Sequence, residues 1–217
     1  DSSNYHTRIY HWNEQPFLDV YSSYKSRSNA DFLLRDQVQS LKGDVNSKLH
    51  DGPISITADG KTMYFTRNNI INNKEGKKDD TNTNNLKIYR AKKVGDRWED
   101  VIELPFNSDD FATGAPSVSA DGKVLYFSSN RPGSLGGTDL YKVIVSDDNT
   151  FSEPINLGQP INTDRDESYP QIYSDGRLFF SSNGHKGYGL FDVFVALQND
   201  EGTYSTITNL GEPINSN

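Results

Sequence analysis

The stretch Ala115-Pro-Ser-Val-Ser-Ala-Asp-Gly-Lys-Val-Leu-Tyr-Phe-Ser128 decides the fold, because the chain writes it three times. The other two copies are Gly52-Pro-Ile-Ser-Ile-Thr-Ala-Asp-Gly-Lys-Thr-Met-Tyr-Phe-Thr66 and Tyr169-Pro-Gln-Ile-Tyr-Ser-Asp-Gly-Arg-Leu-Phe-Phe-Ser181. Aligned on their prolines, all three read as a short strand, an Asp-Gly turn and a second strand rich in aromatics. Asp-Gly between alternating strands is the strongest short-range hairpin signal, and the tight primed turn it predicts needs positive φ. The turn aspartates Asp59, Asp121 and Asp175 fall 62 and 54 residues apart.

Each copy continues in the same way. A third strand is expected over Leu86–Ala91, Thr138–Val145 and Phe191–Ala196, and a fourth around Trp98–Leu104, Phe151–Leu157 and Tyr204–Leu210. A near-identical exit follows at Phe106-Asn-Ser, Ile161-Asn-Thr and Ile214-Asn-Ser. Four strands per unit at a period of about 54 residues is the arithmetic of a propeller blade. The apolar residues alternate with period 2 rather than 3.6, which excludes helical solenoids. The expected class is all-β, a β-propeller of four-stranded antiparallel blades.

The N-terminal segment is half of such a unit. Phe17-Leu-Asp-Val-Tyr21 matches the third strand, Val45-Asn-Ser47 matches the exit, and Thr7–Trp12 is a candidate second strand. The reading divides one propeller domain into the second half of a preceding blade (1–50), a blade with a long polar insertion (51–113) and two further blades (114–167 and 168–217). A ring needs about four to eight blades, and an open propeller exposes strand edges that invite aggregation. Three and a half blades are therefore expected to be part of a longer propeller.

Composition narrows the partners. The chain has 217 residues, 33% of them hydrophobic, with 12 Tyr and 11 Phe. That suits a core of thin aromatic strands. A net charge of −8 argues against nucleic acid and anionic lipid, both of which require a basic face. No apolar run approaches the roughly 20 residues of a membrane helix, so no direct membrane insertion is expected. Asp1 opens a polar stretch without an apolar leader, the pattern of a mature or excised segment. There is no Cys, which removes disulfides, thiol catalysis and thiolate metal sites.

The run from Ala115 through Asn130-Arg-Pro-Gly-Ser-Leu-Gly-Gly-Thr-Asp-Leu-Tyr141 resembles the TolB-like, WD-repeat-like propeller repeat of Bacteroidetes OmpA-family proteins, as does Phe151-Ser-Glu-Pro-Ile-Asn-Leu-Gly-Gln-Pro-Ile-Asn-Thr163. Trp12-Asn-Glu-Gln-Pro-Phe-Leu-Asp-Val-Tyr21 resembles the propeller of PorE-like components of the type IX secretion system. The polar insertion Asn68–Asn85 and the segment Leu33–Leu41 depart from the pattern. The resemblance implies a periplasmic, outer-membrane-associated lipoprotein that contacts envelope proteins. It would reach peptidoglycan only through domains outside this chain.

Most chemistry-like motifs have structural readings. The recurring Asp-Gly pairs are turn formers, and Asp139 and Asp192 are expected to cap loop amides. Gly133-Ser-Leu-Gly-Gly137 lacks the Lys-Ser/Thr ending of a phosphate loop and reads as a flexible loop. His6, His11, His50 and His185 share no spacing. The acidic clusters Asp109-Asp110, Asp147-Asp148 and Asp164–Glu167 lack EF-hand spacing, so neither metal nor cofactor is expected. In a propeller, the blade-joining loops share a face with the loops between second and third strands, and recognition concentrates on such loops. On that face Arg67, Arg131, Asp164, Arg165, Glu167, His185 and Lys186 are the expected partner-binding residues.

The leading expectation is a non-enzymatic interaction module. One alternative is an enzyme: a glycosidase or lyase using carboxylates such as Asp109 and Asp164 about 5–10 Å apart, or the gating propeller of a prolyl-oligopeptidase-type peptidase. Another is a carbohydrate-binding propeller with Tyr169, Tyr173 or Tyr188 as stacking platforms, against the simpler reading that these tyrosines pack between blades.

Overall fold

Aromatic and β-branched residues at alternate positions, punctuated by Asp-Gly, leave the chain only strands to form. The computed structural model describes residues 9–10, 15–23, 38–72, 74–199 and 202–216, and every regular element among them is a β-strand. Two short pairs come first: β1 (Ile9–Tyr10) with β2 (Gln15–Pro16), and β3 (Tyr21–Ser23) with β4 (Val38–Ser40). The first full sheet contains β5 (Asp51–Ile56) and β6 (Thr62–Asn68). A hairpin of β7 (Ile70–Ile71) and β8 (Lys74–Glu75) interrupts it before β9 (Leu86–Val94) and β10 (Arg97–Glu103) complete it. The second holds β11 (Thr113–Val118), β12 (Val124–Ser129), β13 (Asp139–Ile144) and β14 (Ile155–Asn156). The third holds β15 (Glu167–Ile172), β16 (Leu178–Ser182), β17 (Asp192–Gln198) and β18 (Tyr204–Asn209). Each full sheet is a four-stranded antiparallel meander, the blade of a β-propeller. Of the candidate second strand Thr7–Trp12, only Ile9–Tyr10 lies within the described residues.

The Asp-Gly turns differ from the primed type. Only the glycines have positive φ (Gly60 69°, Gly122 74°, Gly176 83°), whereas a type I′ turn needs it at both central residues. The first turn closes from Thr57 N–H to Thr62 C=O, with Gly60 N–H bonded to Thr57 C=O. The aspartate remains right-handed because its carboxylate is used locally. Asp59 Oδ1 accepts from Lys61 N–H and Thr57 Oγ1, and Asp121 does the same with Lys123 and Ser119.

The proline alignment also shifts. Pairing places Ser55 opposite Tyr64, Ser117 opposite Tyr126 and Gln171 opposite Phe179. Pro53, Ala115 and Tyr169 therefore share one place, one residue away from proline over proline. That place lies in a bulge of each inner strand. Ala115 and Tyr169 adopt φ of 51° and 54° there, a conformation that the proline ring forbids to Pro53.

The exit motif has a job that its sequence does not announce. Asn46, Asn107, Asn162 and Asn215 each bracket one third-strand residue of their own blade. The amide oxygen accepts that residue's N–H and the amide nitrogen donates to its C=O. The bracketed residues are Val20 (2.7 and 3.0 Å), Ile88 (3.0 and 2.8 Å), Leu140 (2.9 and 2.9 Å) and Val193 (2.8 and 2.9 Å). Four repetitions identify β3 and β4 as the third and fourth strands of a half blade.

Aromatic faces bury themselves between neighbouring sheets. Tyr64, Ile88 and Phe106 of the first full blade pack with Leu125, Phe127 and Val143 of the second. Tyr126 and Leu140 of the second pack with Ile172, Phe180 and Phe194 of the third. Serines stitch the inner strands: Val118 N–H donates to Ser55 Oγ (2.9 Å) and Ile172 N–H to Ser117 Oγ (3.0 Å). Beside the half blade the seam is looser, since Ile56 is 42% exposed where Val118 and Ile172, at the same place, are 8% and 9% exposed.

If the bracket holds each blade's exit, Asn162→Ala leaves the Leu140 N–H and C=O unpartnered in the interior. It should cost about 2–4 kcal/mol. Urea unfolding measures this, and a loss below about 1 kcal/mol would show that the bracket is dispensable.

Candidate functional site

The loop face is built on one device used three times. In each blade, two facing aromatics from the second and third strands form a floor: Phe65 and Tyr89 (centroids 5.9 Å apart), Phe127 and Tyr141 (6.0 Å), Phe180 and Phe194 (5.9 Å). A planar nitrogen-bearing side chain lies on that floor and bonds to a backbone carbonyl at the blade exit. Arg67 lies 4.9 Å from the Phe65 centroid and donates to Asp44 C=O (2.8 Å). Arg131 lies 5.1 and 5.0 Å from Phe127 and Tyr141 and donates to Phe106 C=O (3.3 Å). His185 lies 5.7 and 5.1 Å from Phe180 and Phe194, with Nε2 2.9 Å from Ile161 C=O. Cation–π and ring contacts of this kind are worth about 0.5–2 kcal/mol where water is excluded.

This corrects part of the expected partner surface. Arg67 is 6% exposed and ion-pairs with Asp51 at 2.5 Å. Burial pushes the Asp51 carboxyl up, and the Arg67 charge only partly offsets it. Glu167 is 0% exposed, its carboxylate taken by Thr163 N–H (2.8 Å), Thr163 Oγ1 (2.7 Å) and Ser182 Oγ (2.6 Å). Neither presents a side chain to a partner, because each closes the entry of its own blade. Arg131 and His185 are half-buried in the same role, and burial holds the Arg131 guanidinium below its usual range. Asp164, Arg165 and Lys186 are exposed. The structure brings two loops of that set together: a Cβ built on Gly184 would lie 3.2 Å from the Arg165 Cβ.

Other polar motifs also turn inward. The Gly133–Gly137 loop cradles an anion after all, but one of the chain's own. Asp139 accepts from Leu135 N–H (2.7 Å), Gly136 N–H (3.2 Å) and Asn156 Nδ2 (2.7 Å). Asp192 repeats this with Tyr188 N–H and Asn209 Nδ2. Gly137 N–H then donates across the seam to Arg165 C=O (2.8 Å).

In the first full blade the pair is inverted. Lys87 stands where Asp139 and Asp192 stand, and Glu103 where Asn156 and Asn209 stand. Lys87 Nζ bonds Glu103 (2.9 Å) and Asp109 (2.8 Å). Burial pulls the Lys87 ammonium down, but the two carboxylates outweigh it and leave the group above its usual value; Lys87 in turn holds Asp109 below the carboxylate range. Asp109 also accepts from Asn69 Nδ2 (2.8 Å), which anchors the polar insertion. Asp79 shapes the rest of that insertion: bonds from Thr81 Oγ1, Thr83 N–H and Asn85 Nδ2 lower it to about 2. Among the described residues no group of three or more acidic or histidine side chains is arranged to hold a metal ion.

The fold is thus that of a β-propeller with its loops closed by internal polar joints, and known structures share it. Similar chains include TolB from Acinetobacter baumannii (15% identity over 82% of this chain and 35% of that one, TM-score 0.50). The alpha-L-arabinofuranosidase from Lactobacillus brevis is similar at 16% identity over 79% of this chain and 59% of that one, with a TM-score of 0.52. The tricorn protease is similar at 11% identity over 79% and 19%, with a TM-score of 0.50. At these identities the likeness shows the fold alone, and the chain spans between 19% and 59% of those proteins. No family model matches the sequence, and no curated protein does.

The inversion makes a quantitative prediction. Lys87→Asp places three carboxylates together and should cost about 3–5 kcal/mol; adding Glu103→Asn recreates the Asp–Asn pair of the other blades and should recover much of that loss. A double-mutant cycle in urea reads the coupling, and additive losses would refute the equivalence. The pH sign follows from Asp109. Its depressed value contributes stability above the ordinary carboxylate pKa that is lost as pH falls through the depressed one. The gap between wild type and Lys87→Met should therefore narrow on acidification.

Proposed function

We propose that this chain is part of a non-enzymatic, periplasmic β-propeller scaffold, an interaction module of an outer-membrane- and peptidoglycan-associated OmpA-family lipoprotein that works with type IX secretion components. The observation that carries the reading is the fate of the loop-face polar groups. Asp51, Arg67, Arg131, Asp139, Glu167, His185 and Asp192 are engaged inside the blades. Asp164, Arg165 and Lys186 remain outward as single charges, and the first full blade adds the lysine-bearing hairpin β7–β8. A rigid disc with a charged, variable rim suits docking to proteins of the envelope. The periplasmic setting and the secretion partner rest on the resemblance of Ala115–Tyr141 and Trp12–Tyr21 to those repeats.

Crosslinking mass spectrometry on the native envelope tests this, with Lys61, Lys123, Lys142 and Lys186 as reporters. Crosslinks to secretion or outer-membrane proteins should concentrate at Lys186. They should disappear in the double variant Asp164→Arg, Arg165→Glu, which keeps the Lys186 amine as reporter and whose thermal stability should stay near wild type because these side chains are exposed. Crosslinks confined to the chain itself, or unchanged by the double variant, would overturn the reading.

A further inference from the structure

Where all three full blades meet lies a cavity of about 220 Å³. No charged side chain lines it, and one wall is Tyr169, whose side chain remains largely open to water (63% exposed). Three uncharged polar groups on its lining are unspent. The Thr138 and Ser168 hydroxyls have no hydrogen-bond partner among the described residues. Asn130 uses its Oδ1 for Ala112 N–H (2.8 Å) and leaves Nδ2 free.

Backbone strain also separates Tyr169 from its counterpart. Ala115 adopts the same left-handed φ, and there the strain is repaid by a joint: Ala115 N–H donates to Thr66 Oγ1 of the preceding blade (2.9 Å). The residue placed to receive Tyr169 in that way is Ser128, but its hydroxyl bonds to Gly114 C=O instead (3.2 Å). Tyr169 therefore holds a conformation costing about 1–3 kcal/mol without the joint that accounts for it in Ala115. The conformation carries an aromatic ring to the cavity wall. Tyr173 packs edge-on against Phe179 instead (5.2 Å).

We propose that this cavity binds a single neutral pyranose ring, stacked on Tyr169 and hydrogen-bonded by Thr138, Ser168 and Asn130. An aromatic face beside unpaired hydroxyl and amide groups matches a sugar, whose C–H face is apolar and whose edge carries hydroxyls. A purely apolar side chain would strand those three polar groups. The volume lies below the roughly 300–1,000 Å³ of drug-sized sites, which suits one ring rather than an extended chain. A negatively charged sugar is disfavoured because the Asp166 carboxylate sits at the edge, accepting Thr138 N–H at 3.0 Å, and no cation lines the cavity to offset it. The site goes beyond the scaffold reading and stands whichever protein docks on the rim.

Titration of the ¹⁵N-labelled chain with methyl β-D-glucopyranoside and with N-acetylglucosamine tests the proposal by NMR. At least one should give saturable shifts clustered at Asn130, Thr138, Ser168 and Tyr169. Tyr169→Ala should weaken binding about tenfold, Tyr169→Phe should preserve it, and Tyr173→Ala should leave it unchanged. Tyr169→Ala is expected to fold, since Ala115 occupies the same backbone place with the same φ, and its spectrum verifies this. The double variant Asn130→Ala, Ser168→Ala, with the ring intact, should also weaken binding. Absence of saturable shifts for both sugars at tens of millimolar, an undiminished response in Tyr169→Ala, or tighter binding of glucuronate or of a proline-rich peptide at these residues would overturn the proposal.

Discussion

The structure depends on how one asparagine ends each blade. A four-stranded meander has no intrinsic reason to release its chain at a fixed point, and a propeller works only if every blade releases it at the same point. Asn46, Asn107, Asn162 and Asn215 solve this by pairing with both backbone groups of a third-strand residue in their own blade. The amide has one donor face and one acceptor face, so it mimics another strand for the length of one residue. The chain is then set at a constant angle to enter the next blade. Asp could accept but not donate there, and Ser could not span both groups.

The next requirement is to seal the corner between that exit and the following inner strand, and here the repeats vary their chemistry while keeping the geometry. An aromatic pair from the second and third strands provides a floor in all three full blades. Arginine covers two of the floors and histidine the third, each reaching a carbonyl at the exit. The entry position follows suit: Asp51 pairs with Arg67, Thr113 Oγ1 accepts from Arg131 (3.3 Å), and Glu167 is held by neutral hydroxyls and an amide. A guanidinium or imidazole on an aromatic floor is planar on both sides, so its stacking tolerates the change of head group. The inverted Lys87–Glu103 pair shows the same tolerance at the start of the third strand.

The fold was legible because its signals are local and repeated: Asp-Gly, alternating aromatics and a fixed period. The joints were legible only in part. Arg67 ends the second strand just before a polar, asparagine-rich insertion, and Arg131 and His185 sit in glycine-rich or asparagine-bearing loops; a charged residue at such a place looks the same in sequence whether it faces water or lies over buried rings. The distinguishing signal was present two residues away, in the Phe-x-Arg spacing of Phe65 and Arg67 and in the aromatics of each third strand. Recognising it requires knowing that second and third strands face each other across their aromatic positions. The turn geometry escaped for a related reason. Asp-Gly permits a primed turn, but a hydroxyl two residues before the aspartate (Thr57, Ser119) offers the carboxylate a bond that favours the wider loop.

Internal closure also explains where this scaffold is free to differ between blades. Residues of the bracket, the floor and the planar side chain on it touch one another, and at Lys87 and Glu103 a change at one place is matched by a change at its partner. The place shared by Pro53, Ala115 and Tyr169 carries no such coupling on the side that lines the cavity. Only its backbone is constrained, by the bulge that every inner strand keeps. Three side chains as unlike as proline, alanine and tyrosine are accommodated there without altering the sheets behind them. All three residues line the same cavity, and the Tyr169 side chain there is 63% exposed, so what occupies this position answers to what enters the cavity rather than to the fold. Sequence divergence at a bulge position that lines a shared cavity fits a surface whose shape is set by the scaffold and whose chemistry is left to what binds there.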